Sequence, residues 1–188
     1  MMKQKKTLIL FTDSGDTIID ESTQQYEKAR PQIVERADFI ENAGEVLKEL
    51  HEAGYTIALV ADGEEDSFQN VYRANGLRHC FDAWVVSETV GKQKPEPIMF
   101  QTAMDALNLT DADKDRIVMV GNNLKKDVAG ANRFGITSVW LDWSPRYFHE
   151  FEEEDWKPDY ILHHPSELPA LLSRLETELE ERRAQKMQ

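Results

Sequence analysis

The apolar positions of this chain fall into short unbroken runs, separated by longer stretches in which they recur every three or four residues. The runs are Thr7–Phe11 (TLILF), Thr56–Val60 (TIALV), Ala83–Val86 (AWVV), Ile117–Val120 (IVMV), Ser138–Leu141 (SVWL) and Tyr160–Leu162. Runs this short, with no polar alternation, predict strands buried on both faces. The periodic stretches predict helices over Ala43–Ala53, Asp66–Asn75, Glu96–Leu107 and Lys125–Phe134, and a last one from about Ser166. Gly54, Gly76 and Gly135 stand where these helices should end. Strand and helix alternate, which predicts an α/β domain with a mostly parallel sheet and helices on both faces. One domain over residues 1–188 is expected, with a small flap or helix in the polar segment 20–37 and a frayed end over 183–188. Ligands of such sheets sit beyond the carboxyl ends of the strands. That directs attention to Asp13–Thr17, Ala61–Gly63, Ser87–Lys94 and Gly121–Asp127.

Composition narrows the partners. The 188 residues carry a formal net charge of −13, which opposes binding to nucleic acid or an anionic membrane surface. No apolar run approaches the ~20 residues of a membrane span. The basic start, MMKQKK, precedes an apolar stretch too short for a signal-peptide core, so it reads as the approach to a first strand. The single cysteine, Cys80, allows no internal disulfide, and a cytoplasmic location is expected. The acidic stretches Glu150–Asp155 and Glu176–Arg183 read as solvated surface. The histidines at 51, 79, 149, 163 and 164 show no metal-ligand spacing. Trp140, Trp143, Tyr147, Phe148, Phe151 and Trp156 read as packing a long loop onto the core, with a substrate-facing or dimer-forming patch as the alternative.

Three strand ends carry candidate chemistry. Asp13, in FTDSGDTI, is a carboxylate at the end of the first strand, where it suits a nucleophile or metal ligand. Asn122, Asn123 and Asp127, in VGNNLKKDVAGANRFGI, offer oxygen donors of the kind a hard cation such as Mg²⁺ takes. In VGKQKPEPIMF, Pro95 and Pro97 stiffen the chain ahead of a helix, and Lys94, with Lys92 as competitor, could place an ammonium at the sheet edge.

Taken in order, these segments resemble the haloacid dehalogenase-like hydrolase superfamily, across about Leu8–Leu172. Asp13-Ser14-Gly15-Asp16-Thr17 looks like its first motif, and Leu59-Val60-Ala61-Asp62-Gly63 sits where the second belongs. Lys94-Pro95-Glu96-Pro97 looks like the third, Val120-Gly121-Asn122-Asn123 with Asp127 like the fourth, and Lys157-Pro158-Asp159-Tyr160 like the closing strand. The resemblance implies a Rossmann-like fold and a Mg²⁺-dependent phosphohydrolase acting on a phosphorylated small molecule or macromolecule. Asp13 would form an aspartyl-phosphate, and Lys94 would neutralise charge on it and on the phosphoryl group. Amides of Ala61, Asp62 and Gly63 would cradle phosphate. The metal would be held by Asp13, the backbone carbonyl of Gly15, and Asp127 or Asn122.

The pattern departs from the family in three places. Family phosphatases carry a second Asp two residues after the nucleophile, as general acid and base; here that place is Gly15, and Asp16 is the nearest substitute, with Glu64 or Asp62 as others. The hydroxyl of the second motif is replaced by Ala61, and the first carboxylate of the fourth by Asn122. These changes keep open a second reading, a non-catalytic member that binds phosphate or a partner. Only 47 residues lie between Asp13 and Ala61, too few for a helical cap domain, so a capless, open site is expected, with a lid supplied by oligomerisation. A dehalogenase, which would need such a cap, is the third reading.

Overall fold

The structure, a computed structural model, describes residues 5–186. Its centre is a six-stranded sheet in the order β5-β4-β1-β6-β7-β8, every neighbouring pair parallel. The strands are β1 (Ile9–Thr12), β4 (Thr56–Ala61), β5 (Ala83–Val86), β6 (Ile117–Gly121), β7 (Thr137–Leu141) and β8 (Tyr160–Leu162). Residues alternate between the two faces of the pleat, and both faces are covered. Leu10, Ile57, Leu59, Val118 and Val120 pack in one cluster with residues of α1 (Ala43–Ala53), α2 (Glu65–Ala74) and α6 (Leu168–Lys186). Ile9, Phe11, Ala58, Val60 and Met119 pack in the other with α4 (Pro97–Ala106) and α5 (Ala129–Phe134). This is why β1 and β4 read as solid apolar runs: neither face meets water. A short helix, α3 (Ser87–Val90), follows β5.

The segment 20–37 forms a hairpin flap and not a helix. β2 (Gln25–Tyr26) and β3 (Val34–Arg36) pair antiparallel, after a single 3₁₀ turn at Glu21–Thr23. The flap is docked on α2: Val34 N–H donates to Ser67 Oγ at 2.9 Å, and Asn70 Nδ2 donates to Val34 O at 3.0 Å. Among the described residues this hairpin is the whole insertion between β1 and α1, so no helical cap overlies the sheet end.

Two expected elements differ. The helix predicted over Lys125–Phe134 opens with a wide π-type turn, Leu124–Val128, and becomes regular only at α5. Asn123 Oδ1 accepts from the amides of Lys125 and Lys126, and Asn123 N–H donates to Asp127 Oδ2 at 3.0 Å, so the turn is closed by side chains. At the other end, α6 runs helical through Lys186; residues 187 and 188 of the segment expected to fray lie outside the described residues. Glu176, read as solvated, is instead buried, its carboxylate accepting the amides of Thr7 and Leu8 at 2.6 and 2.9 Å. Trp140 and Trp156 do pack inward, against Leu124, Val128 and Ala129, while Phe148 and Phe151 stay exposed.

Candidate active site

Sheet order reverses at β1, whose neighbours β4 and β6 run off to opposite sides, and the site lies just beyond its carboxyl end. Asp13 is the first residue past β1, and its amide still donates to Val120 O at 3.0 Å, which fixes the carboxylate at the mouth of the sheet. Lys94 comes from the segment before α4. Its Nζ lies 2.6 Å from Asp13 Oδ1 and 2.7 Å from Asp127 Oδ1, and it donates to Val60 O at 2.8 Å. The competing Lys92 is exposed, whereas Lys94 is buried beside Asp13 and Asp127.

Burial would lower the affinity of Lys94 for its proton, but the carboxylates of Asp127, Asp13 and Asp62 outweigh that and hold the lysine charged. Burial pushes the Asp127 carboxyl up, with Lys94 opposing and Asp13 adding to the rise. One buried ammonium thus faces two carboxylates, and the group carries surplus negative charge.

That surplus is the test of whether a divalent cation fits. Asp127 Oδ1 is buried against Lys94 Nζ at 2.7 Å, the same ammonium that Asp13 Oδ1 uses. A Cβ on Gly121 would lie 2.2 Å from the Asp127 carboxylate, so glycine is what lets Asp127 come this close to the strand end. Among the described residues no group of three or more His, Cys, Asp or Glu side chains converges on one point. Two carboxylates with water and neutral oxygens suit Mg²⁺, which binds few protein ligands and keeps its water. Gly15, whose carbonyl the resemblance gives to the metal, lies in the wall of the same pocket. Asn122 is held from behind by Trp140 Nε1, which donates to its carbonyl oxygen at 2.9 Å.

The other expected residues divide. Asp62 and Gly63 line the pocket, but Asp62 is engaged: Oδ1 accepts from the Lys94 amide at 3.0 Å and Oδ2 from Lys126 Nζ at 2.9 Å. The Gly63 amide donates to Ser87 Oγ at 2.9 Å, so it is not a spare donor for phosphate. Ala61 is fully buried. Asp16 does not reach the pocket as the expected acid–base substitute. It is buried with positive φ, and both carboxylate oxygens face the Arg146 guanidinium, with Oδ1 also accepting the Glu21 amide at 3.0 Å. These contacts tie a turn.

The sequence did not single out Glu21 or Arg146, and it offered Tyr147 only within an aromatic cluster. Glu21 lines the pocket, and Tyr147 OH donates to its Oε2 at 2.8 Å. Burial raises the Glu21 carboxyl above the ordinary range; the Tyr147 hydrogen bond works against this, and the charges of Asp16 and Asp13 add to it. The cavity, ≈ 270 Å³, is floored by Asp13, Lys94 and Asp127 and faced by Tyr26 and Gln32 of the flap and Phe68 of α2.

Residues 3–141 match the haloacid dehalogenase-like hydrolase family, and the chain belongs to it. It is 29% identical over 140 residues to glyceraldehyde 3-phosphate phosphatase of Pyrococcus furiosus, covering 74% of this chain and 55% of that one. It is 30% identical over 135 residues to the pyrophosphatase PpaX of Bacillus mycoides, covering 72% and 60%. The chain therefore spans somewhat more than half the length of these relatives. A crystal structure of an uncharacterized protein from Listeria monocytogenes shares the fold, with a TM-score of 0.72 at 22% identity, covering 90% of this chain and 99% of that one.

Proposed function

We propose that this chain is a Mg²⁺-dependent phosphohydrolase in which Asp13 is the phosphoryl acceptor. The observation that carries this reading is the placement of Asp13 and Asp127 on one buried ammonium, Lys94, at the reversal point of a parallel sheet. The similarity to proteins named as phosphatases supports the reaction class. The substrate class is a phosphate monoester or anhydride.

Asp13 and Asp127 would hold the metal, beside the neutral Asn122. When bound, Mg²⁺ supplies charge neutralisation at the phosphoryl oxygens. The chain's own residues do the rest. The Asp13 amide, anchored on β6, aims the carboxylate into the pocket. The Lys94 ammonium offsets negative charge that builds on the phosphoryl oxygens as Asp13 attacks, in a site where burial strengthens that attraction. Phosphoryl transfer is mostly positioning and charge stabilisation, which this set provides.

The test is turnover of p-nitrophenyl phosphate with Mg²⁺, beside Asp13→Asn. We expect turnover by the wild type and a loss of about 10³-fold or more in the variant, the scale of removing a nucleophile. A silent wild type would favour the reading as a binding module, and an equally active variant would move the nucleophile elsewhere.

A further inference from the structure

Position 15 is where family phosphatases carry their proton-transferring carboxylate, and here it is a glycine. The volume that its side chain would need is nonetheless filled. A Cβ built on Gly15 would stand 2.0 Å from Glu21 Oε1 and 2.8 Å from Glu21 Cδ, and its three nearest neighbours all belong to Glu21. A carboxyl group arriving from six residues downstream therefore occupies the space of the missing one. It lines the same cavity as Asp13.

Glu21 is also held there by parts that have no other evident task. Its amide donates to Asp16 Oδ1 at 3.0 Å, and Asp16 is locked by Arg146, whose Nε donates to Asp16 Oδ2 at 3.0 Å. Arg146 Nη2 reaches Asp20 Oδ1 at 3.2 Å, so both ends of the turn before Glu21 are clamped. Tyr147 OH takes Oε2 at 2.8 Å and leaves Oε1 as the oxygen on the Gly15 side.

We propose that Glu21 is the general acid and base of this site, a transplanted replacement for the side chain absent at Gly15. The proposal rests on the phosphohydrolase reading above. As Asp13 Oδ bonds to phosphorus, the P–O bond to the leaving alcohol breaks and its electron pair goes to that oxygen, which takes the proton of the Glu21 carboxyl and departs as the alcohol. Water then gives a proton to the Glu21 carboxylate while its oxygen bonds to phosphorus. The P–O bond to Asp13 breaks, its electron pair returns to Asp13, and inorganic phosphate leaves. The consequence for substrate class is that alkyl phosphates, whose alkoxides need a proton to leave, are within reach despite Gly15.

The experiment compares wild type, Glu21→Gln, and the double variant Gly15→Asp/Glu21→Ala on an alkyl phosphate (glycerol 2-phosphate) and an aryl phosphate (p-nitrophenyl phosphate), with intact-protein mass as a second readout. In Glu21→Gln we expect the alkyl rate to fall by about 10²–10⁴-fold, the span of general acid–base help. With the aryl substrate we expect a burst of p-nitrophenol and accumulation of a phosphorylated protein, because the first step no longer needs the acid and the second still needs the base. The double variant should regain alkyl turnover and lose the accumulated phosphoprotein, since removing the Glu21 side chain clears the atoms nearest a side chain at position 15. The proposal is overturned if Glu21→Gln keeps the wild-type ratio of alkyl to aryl rates and accumulates no phosphoprotein while the wild type turns over through Asp13. A wild type that turns over neither substrate overturns the parent reading itself, and this one with it.

Discussion

The two ends of the sheet treat carboxylates in opposite ways. At the amino end, three acidic side chains hold backbone amides at strand starts, the buried Glu176 and the exposed Asp82 and Asp159. Glu176 accepts the amides of Thr7 and Leu8, Asp82 that of Ile57 at 2.9 Å, and Asp159 that of Ser138 at 2.8 Å. These charges are matched by backbone donors that cannot leave, so they stabilise and do nothing more. At the carboxyl end Asp13 and Asp127 face a single lysine and share its charge. Stability there is incomplete by construction, and the incompleteness is what a cation and a phosphoryl group would answer. The contrast shows that burial of charge alone does not mark a site; unspent charge does.

The strongest way to break this contrast is Lys94→Met. Removing the ammonium leaves Asp13 and Asp127 facing each other, and we expect a loss of about 3–5 kcal/mol in urea unfolding without Mg²⁺. The loss should shrink when Mg²⁺ is added, while turnover stays depressed by about 10²-fold or more. A variant as stable as wild type without metal would mean that the carboxyl end holds no surplus charge.

Next in size, Glu176→Ala should cost about 1–3 kcal/mol by stranding two strand amides, with turnover per folded molecule unchanged. If turnover falls with stability intact, the amino end is not the passive partner described here. The smallest effect sharpens the picture: Asn122→Asp adds a carboxylate beside the other two, and Mg²⁺ should bind up to about tenfold tighter, because affinity follows ligand charge. Quenching of Trp140, which donates to the Asn122 carbonyl, gives the readout; unchanged or weaker binding would remove Asn122 from the metal's surroundings.

Much of the frame was legible in the chain itself. β1, β4 and β6 read as apolar runs because the sheet is covered on both faces there, while the edge strand β8 leaves Ile161 exposed, and α1 was found to its ends because Gly54 closes it with positive φ. Asp13, Lys94 and Asp127 were named together through the resemblance of their motifs to the family, and the fold brings them within ion-pair distance. The flap hairpin was not: β2 is two exposed residues, and its register comes from docking on α2. The wide turn at Leu124–Val128 was read as plain helix, since period cannot distinguish a π-type turn from the first turn of an α-helix. Lys92 and Lys94 could be separated only by burial. Glu21 was invisible because its position depends on an empty volume at Gly15 and on Tyr147, 126 residues away. The one available signal was the pairing of a glycine where an acid belongs with an acid in the polar segment after it.

The family match ends at residue 141, while Arg146 and Tyr147 lie beyond it. The brace behind Glu21 therefore hangs on a stretch of chain that the shared pattern does not describe. Gly15, Asp16, Glu21, Arg146 and Tyr147 should then be inherited as a block: in a lineage where an acidic residue returns at position 15, the other four lose their reason to be kept and should drift together.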